Sequence, residues 1–410
     1  MPPASLDFGT LTHVIHFSVV PNSNGTLDSS ANVLTAVNSS NLVFQTHAAG
    51  RKVLFCVGGA GSQAGFQGAT SAANRPAFIA NLVNFMTTRG YDGIDLDWEP
   101  LDASDANQFT NFVNSLRTAL NALNPKPLLT AAIASPPTPT SLIASLQTQF
   151  DQINLMTYDL SGPYPGWVTW FNAPIFDGGY RFASTGGLVP SAAGMVGSLT
   201  NAGVVPGRLG IGIAFYGYIW SGGAGTTTGG VSLPRQSWTT APTVSQLAYN
   251  NLIATYFQSN LYHWDDSAQA AYLSIDNTGS SNDKFISYDD ERVCQAKVSY
   301  ARNAHLGGVM IWELAQDHKA GQTDPLLRAV QVALSAPGLT SIQIVGTNID
   351  LSFNSAPLGA YRVQFATGFP AVIWNTLTIT NTPGTGGPLH VFDTNFIGKP
   401  IRAYRIQTPP

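Results

Sequence analysis

The chain has 410 residues, 44% hydrophobic and only 10% charged, with a net charge of −4. That length suits one barrel of about 250 residues or more plus a smaller module. The charge leaves no basic surface for nucleic acid, no apolar run reaches the roughly 18 residues of a membrane span, and two cysteines, Cys56 and Cys294, cannot make a disulfide framework. The start, Met1-Pro2-Pro3-Ala4, has no signal peptide. Low charge with abundant Gly, Ser, Thr and Asn still fits a secreted bacterial protein whose targeting segment is removed or lies upstream.

Residues 11–20 read as a strand, closed by the turn-forming Pro21-Asn22-Ser23-Asn24-Gly25. His13 and His16 within it are expected to be hydrogen-bonded structural residues. A loosely periodic helical segment with Leu34, Val37 and Val43 follows, then a strand over residues 52–59 that carries Cys56 and ends in Gly58 and Gly59. Asn74 and Pro76 open a helix with Phe78, Ile79, Leu82, Val83, Phe85 and Met86 on its apolar side, and Gly90 ends it.

The next stretch, residues 91–100, organises the rest. It places Asp92, Asp95, Asp97 and Glu99 within eight positions. Ile94, Leu96 and Trp98 alternate with Asp95, Asp97 and Glu99, the period-two signature of a strand. Those three acids therefore share a face, Asp92 has the opposite parity and a supporting role, and Pro100 ends the ladder just after Glu99. Three acids on one buried face repel, so at least one is expected to hold a proton at neutral pH. A calcium loop would need Gly at its central turn and an irregular backbone, whereas bulky apolar residues alternate here. A solvated acidic face would leave those apolar alternates lining a core beneath unpaired acids. Clustered like charges are costly unless function retains them, which points to catalysis.

Further along, Phe109, Phe112, Val113, Leu116, Leu120 and Leu123 mark a core-facing helix, and residues 128–133 a short strand. Residues 150–159 read as a strand in which Met156 and Tyr158 share a face, with Asp159 at the turn. The loop with Tyr164, Trp167, Trp170 and Phe171 suits either stacking on sugar rings or packing onto the barrel. Residues 209–217, ending in Phe215-Tyr216-Gly217, form a strand. Residues 218–285 then depart from barrel alternation as a short α+β insertion, with Trp220, Trp238 and Trp264 as candidate cleft aromatics. Residues 307–313 make the last strand, with Trp312 opposite in parity to Ile311, and Asp324-Pro325 caps a closing helix. After a linker at 336–338, six short alternating runs in residues 339–410, separated by Gly/Pro/Asn turns, predict a small β-sandwich. It is either a polysaccharide-binding module acting through Trp374 or Tyr361 or a spacer.

Residues 92–99 resemble the Asp-x-x-Asp-x-Asp-x-Glu signature of family 18 glycoside hydrolases, the chitinases, in the form with Gly93 after the first Asp and Trp98 before the Glu. Gly58-Gly59 is similar to the family's Ser-x-Gly-Gly block, with Cys56 where the family has Ser. Residues 156–159 resemble its Met-x-Tyr-Asp block, and the likeness extends over roughly residues 10–335. It implies a TIM-type (β/α)8 barrel over 1–335, here lacking its first strand, and cleavage of β-1,4 linkages in chitin and N-acetylglucosamine oligosaccharides by a monomer without a cofactor or metal. It implies Glu99, Asp97, Asp95 and Tyr158 as catalytic. Asp159, Met156, Tyr216, Trp312, Tyr164 and Trp167 become substrate contacts, and Asp92, Cys56, Gly58 and Gly59 structural supports. The family Ser, and a Tyr on the absent strand, normally support the middle acid. A thiol at Cys56 is a weaker donor, unless Cys56 is plain barrel filler. Substrate-assisted retention is the implied mechanism. The alternatives are an endo-β-N-acetylglucosaminidase acting on glycoprotein glycans and a chitin-binding lectin, the latter usually lacking the Glu of the signature.

Overall fold

The computed structural model describes residues 1–407 except 135, 137, 278–280, 320, 322–323, 336–338, 355–360, 369–372, 381–387 and 395–401. The expected linker at 336–338 lies outside the described residues. Two compact units are present, residues 1–330 and 331–410.

In the first unit, β1 (His13–Pro21) folds back onto the two-residue β2 (Leu27–Asp28), and α1 (Ala36–Ala48) leads to β3 (Lys52–Gly59), parallel to β1. Helix α1 buries Ser39, Leu42 and Thr46 and leaves Val37 exposed, in keeping with the loose periodicity of its apolar residues. Then come α2 (Gln63–Ala69) and α3 (Arg75–Arg89), the latter ended by Gly90 at φ 78°, where a side chain would be strained. The order continues β4 (Gly93–Trp98), α4 (Ala106–Asn121), β5 (Leu128–Ile133), α5 (Thr140–Leu146), β6 (Gln152–Leu155), α6 (Ala192–Asn201) and β7 (Leu209–Ala214).

The expected strand at 209–217 is in fact two. At Phe215 the chain leaves the parallel sheet: its N–H reaches the Trp312 carbonyl at 2.8 Å and its own carbonyl accepts from Tyr249 N at 2.9 Å. From there β8 (Tyr216–Ser221), β9 (Thr243–Ala248), α7 (Tyr249–Tyr256), β10 (Tyr262–Asp265), β11 (Ala270–Ile275) and β12 (Lys284–Tyr288) form the insertion. Its five strands make an antiparallel sheet in the order β10-β11-β12-β8-β9. The chain returns through α8 (Glu291–Asn303) to β13 (Gly308–Trp312) and α9 (Pro325–Ser335).

The main sheet runs β13-β7-β6-β5-β4-β3-β1, all parallel, with β2 antiparallel at its edge. Parallel strands joined by helical crossovers make this a TIM-type (β/α) barrel. Between β13 and β1, where the expected first strand belongs, no ladder is present among the described residues. The Phe17 and Trp312 rings, 4.6 Å apart edge to face, span that position. On β4 the apolar alternates face the helices: Trp98 stacks on Phe66 at 4.6 Å and meets Phe109 edge-on at 5.8 Å. The opposite parity, carrying the acids, is thereby turned into the barrel interior.

Under β7 lies a buried ion pair. Lys297 of α8 donates to Asp289 at 2.5 Å, and Asp289 also accepts from Ala214 N at 3.1 Å. Removing one partner strands the other charge, which typically costs about 3–5 kcal/mol. Lys297→Met is therefore expected to lower unfolding free energy by about that much, read by urea denaturation; an unchanged midpoint would contradict it.

The second unit holds two three-stranded antiparallel sheets. One comprises β14 (Leu339–Val345), β15 (Asn348–Asn354) and β18 (Pro388–Asp393), and the other β16 (Tyr361–Ala366), β17 (Asn375–Thr380) and β19 (Ala403–Gln407). Leu351, Phe353, Tyr361 and Val363 fill its core. Tyr361 is fully buried, which leaves Trp374 as the ring of the binding alternative. Trp374 is half-buried, with the Arg405 guanidinium 4.4 Å from its ring centre. No helix among the described residues is long and apolar enough to cross a membrane.

Candidate active site

The three acids of β4 form a column. Asp95 and Asp97 are buried and Glu99, one residue beyond the strand, is half-buried. The Asp97 and Glu99 carboxyls are neighbours that act on each other, while Asp97 Oδ1 has no partner among the described residues. Burial, then the charges of Glu99 and Asp95, push Asp97 well above the usual carboxylate range. Glu99 is also raised, first by burial and then by the charge of Asp159. Asp95 is pushed up to about 6 by burial, against the Thr130 hydroxyl that donates to it and the neighbouring Cys56 thiol, which pull it down. A proton thus resides within the column at neutral pH.

Neighbouring strands fix this column. Register pairs Cys56 with Asp95 and Gly58 with Asp97. Gly58 sits at φ 112°, and a Cβ there would lie 2.0 Å from the Asp97 carbonyl oxygen, so no side chain fits. At Gly59 a Cβ would meet the Phe17 ring at 2.7 Å. Ser62, which the sequence reading missed, accepts from Glu99 N at 3.1 Å and donates to Asp97 O at 3.2 Å, pinning the strand tip. Asp92 lies apart at the strand's base, accepting from Lys52 Nζ at 2.8 Å, His47 Nε2 at 2.8 Å and Val53 N at 2.9 Å. It ties β4 to β3 and α1. His16 bonds the Tyr91 hydroxyl at 2.7 Å, a structural contact.

The expected strand at 150–159 stops at Leu155. Beyond it, the Thr157 hydroxyl replaces the ladder by exchanging hydrogen bonds with the Gly212 backbone, both at 2.8 Å. This releases Met156, Tyr158 and Asp159 onto the barrel's C-terminal face. Tyr158 is buried and its hydroxyl lies 3.7 Å from Met310 Sδ. The charges of Asp97, Asp159, Glu99 and Asp95 all act on that phenol, after burial, to raise its pKa. Asp159 has φ 56° and is exposed. Its Oδ1 accepts from Tyr216 at 2.6 Å, Tyr218 at 2.7 Å and Gln246 at 3.4 Å, and its N–H donates to Asn172 Oδ1 at 2.9 Å. The insertion therefore supplies three donors to one carboxylate oxygen, of which the sequence reading named only Tyr216.

The aromatics divide. Tyr164 is exposed and meets the half-buried Trp167 edge-on at 5.0 Å, and Trp312 and Met156 are half-buried. Trp170 and Phe171 are fully buried in a second core shared with the insertion, as is Trp220. Trp220 is thus not a cleft aromatic. Trp238 lies 5.8 Å from Trp220, and Trp264 is covered by the Arg292 guanidinium at 3.7 Å.

Comparison with known proteins agrees with this geometry. The chain is 32% identical over 341 residues to chitinase A1 of Niallia circulans, covering 76% of this chain and 45% of that protein. It is 27% identical to chitinase B of Serratia marcescens, covering 76% of this chain and 74% of the relative. The chain thus spans less than half the length of the first of these relatives. A solved chitinase from Rhizomucor miehei superposes with a TM-score of 0.67 at 26% identity, over 81% of this chain and 96% of that one. The model of glycosyl hydrolases family 18 matches residues 3–317. The chain belongs to glycosyl hydrolases family 18.

Proposed function

We propose that the protein hydrolyses β-1,4 linkages between N-acetylglucosamine units of chitin and chito-oligosaccharides, retaining configuration through substrate assistance. The observation that carries this reading is the buried acid column, in which Asp95 and Asp97 stand beneath the half-buried Glu99 and Asp97 and Glu99 act on each other at its mouth. Glu99 as an acid gives its proton to the leaving glycosidic oxygen. The substrate's acetamido oxygen attacks the anomeric carbon as that bond breaks, giving an oxazolinium ion. Asp97 accepts the acetamide N–H and stabilises its positive charge, with Asp95 behind it. Water then adds to the same carbon, its proton passes to Glu99, and the acetamide is restored. Tyr158 and Asp159 hold the acetamido group with Met156 beside them and Tyr216 shaping the pocket. Trp312 lies under the ring, and Tyr164 and Trp167 provide sugar platforms farther along the cleft.

Purified protein should release soluble di- and trisaccharides from colloidal chitin; no release from colloidal chitin or from soluble chito-oligosaccharides would overturn the reading. Glu99 disfavours a lectin, and the complete Met156–Asp159 block disfavours glycoprotein-glycan release. An insoluble polymer is met outside the cell, which supports a secreted enzyme, and a self-contained column supports action as a monomer.

Two further expectations concern the surroundings. Tyr218→Phe removes one of the donors to Asp159. Hydrogen bonds to charged groups are worth about 1.5–3 kcal/mol, so KM should rise roughly tenfold or more with a smaller change in kcat; an unchanged KM would detach Asp159 from substrate. The unit at 331–410 is proposed as an accessory module. A chain ending at Ser335 should keep its kcat on soluble oligosaccharides, and loss of that activity in a folded truncate would assign the module a part in the chemistry.

A further inference from the structure

We propose that Thr130 is a positioning residue for the reaction, acting through Asp95: together with Cys56 it keeps the innermost acid of the column ionised, so that the shared proton stays with Asp97 and Glu99. This rests on the hydrolytic reading above. Thr130 is the lone hydroxyl on the otherwise apolar strand β5, and parallel register sets it directly beside Asp95, as Cys56 is set on the other side by β3. One rung across three strands therefore reads Cys56–Asp95–Thr130. The Thr130 hydroxyl donates to Asp95 Oδ1 at 2.5 Å, and the thiol set beside Asp95 by β3 also pulls the carboxyl down.

Both Asp95 and Thr130 are buried, so water does not substitute for a lost donor. The groups facing Asp95 are Asp97 and, farther up the same strand, Glu99; Cys56 from β3; and the Tyr158 phenol from beyond β6. Among the described residues no cation acts on Asp95. A neutral hydroxyl and a weak thiol donor are thus what hold an ionised carboxylate in the barrel interior. With the hydroxyl gone, Asp95 competes for the proton that Glu99 must deliver.

Losing a hydrogen bond to a charged group moves a titration by about one to two pH units. The charged form loses its support, so the shift is upward. Thr130→Val should therefore move the acid limb of kcat/KM on a chito-oligosaccharide to higher pH by about that much, lowering kcat more than it raises KM. Thr130→Ser should restore the wild-type profile. Cys56→Ser, which puts a stronger donor on the other side, should recover most of the shift in the Thr130→Val background and move the limb to lower pH in the wild-type background. Titration of ¹³C-labelled aspartate carboxyls reads the same shift without turnover. If the wild type cleaves no chito-oligosaccharide, the hydrolytic reading fails while this readout still tests the Thr130–Asp95 link. An Asp95 titration unmoved by Thr130→Val, or by Cys56→Ser should the valine variant not fold, overturns the inference. So does a rate loss uniform across pH.

Discussion

Glu99→Gln should lower kcat on chito-oligosaccharides by about 10²- to 10⁴-fold, the usual contribution of a positioned general acid/base. The residue sits at the strand tip, with its backbone pinned by Ser62 and its carboxyl beside that of Asp97. The amide has nearly the same shape, so binding should survive. Titration calorimetry with a chitohexaose should give a Kd within a few-fold of the wild-type KM. Hydrolysis within threefold of wild type would remove Glu99 from the proton-transfer step, and loss of binding would make it a substrate anchor.

Asp97→Asn should cost about 10²- to 10³-fold in kcat, the typical loss when one preorganised electrostatic stabiliser is removed. Here the charge that develops is positive, on the acetamido group, and an amide side chain offers it no compensating charge. The same variant should be more stable than wild type at neutral pH. Asp97 is raised in the folded state by burial and by its acidic neighbours. A group that binds its proton more tightly when folded contributes most stability below the unfolded carboxylate value of about 3.9, and loses it as pH rises. Thermal midpoints of Asp97→Asn and wild type should therefore converge near pH 3 and separate in favour of the variant toward pH 8. A variant less stable than wild type at pH 8 would show that the column is held together by its ionised form.

The acid column was legible in sequence because a strand has period two, and three acids spaced by two can face only one way. The six strands described in the second unit were legible from their alternation. What stayed hidden was long-range. Thr130 stands out as the lone hydroxyl of a short apolar strand, but nothing marks its partner until parallel register sets it beside Asp95. Tyr218 and Gln246 reach Asp159 only because β8 and β9 pair after the chain changes sheets at Phe215. Residues 209–220 are apolar or glycine throughout, and only the adjacent large residues Phe215 and Tyr216 mark the change. Aromatics in turn-rich segments read alike whether exposed, as Tyr164 is, or buried, as Trp170, Phe171 and Trp220 are. Only the packing of the insertion against the loop tells them apart.

Substrate assistance is tested most directly by NMR of the product formed in the first minutes from a fully N-acetylated β-1,4-linked oligosaccharide, with the de-N-acetylated oligomer as comparator. An internal nucleophile on one face of the ring, displaced by water on the other, predicts the β anomer first, and no turnover when the acetyl groups are absent. An α anomer as first product, or efficient cleavage of the de-N-acetylated chain, would contradict it.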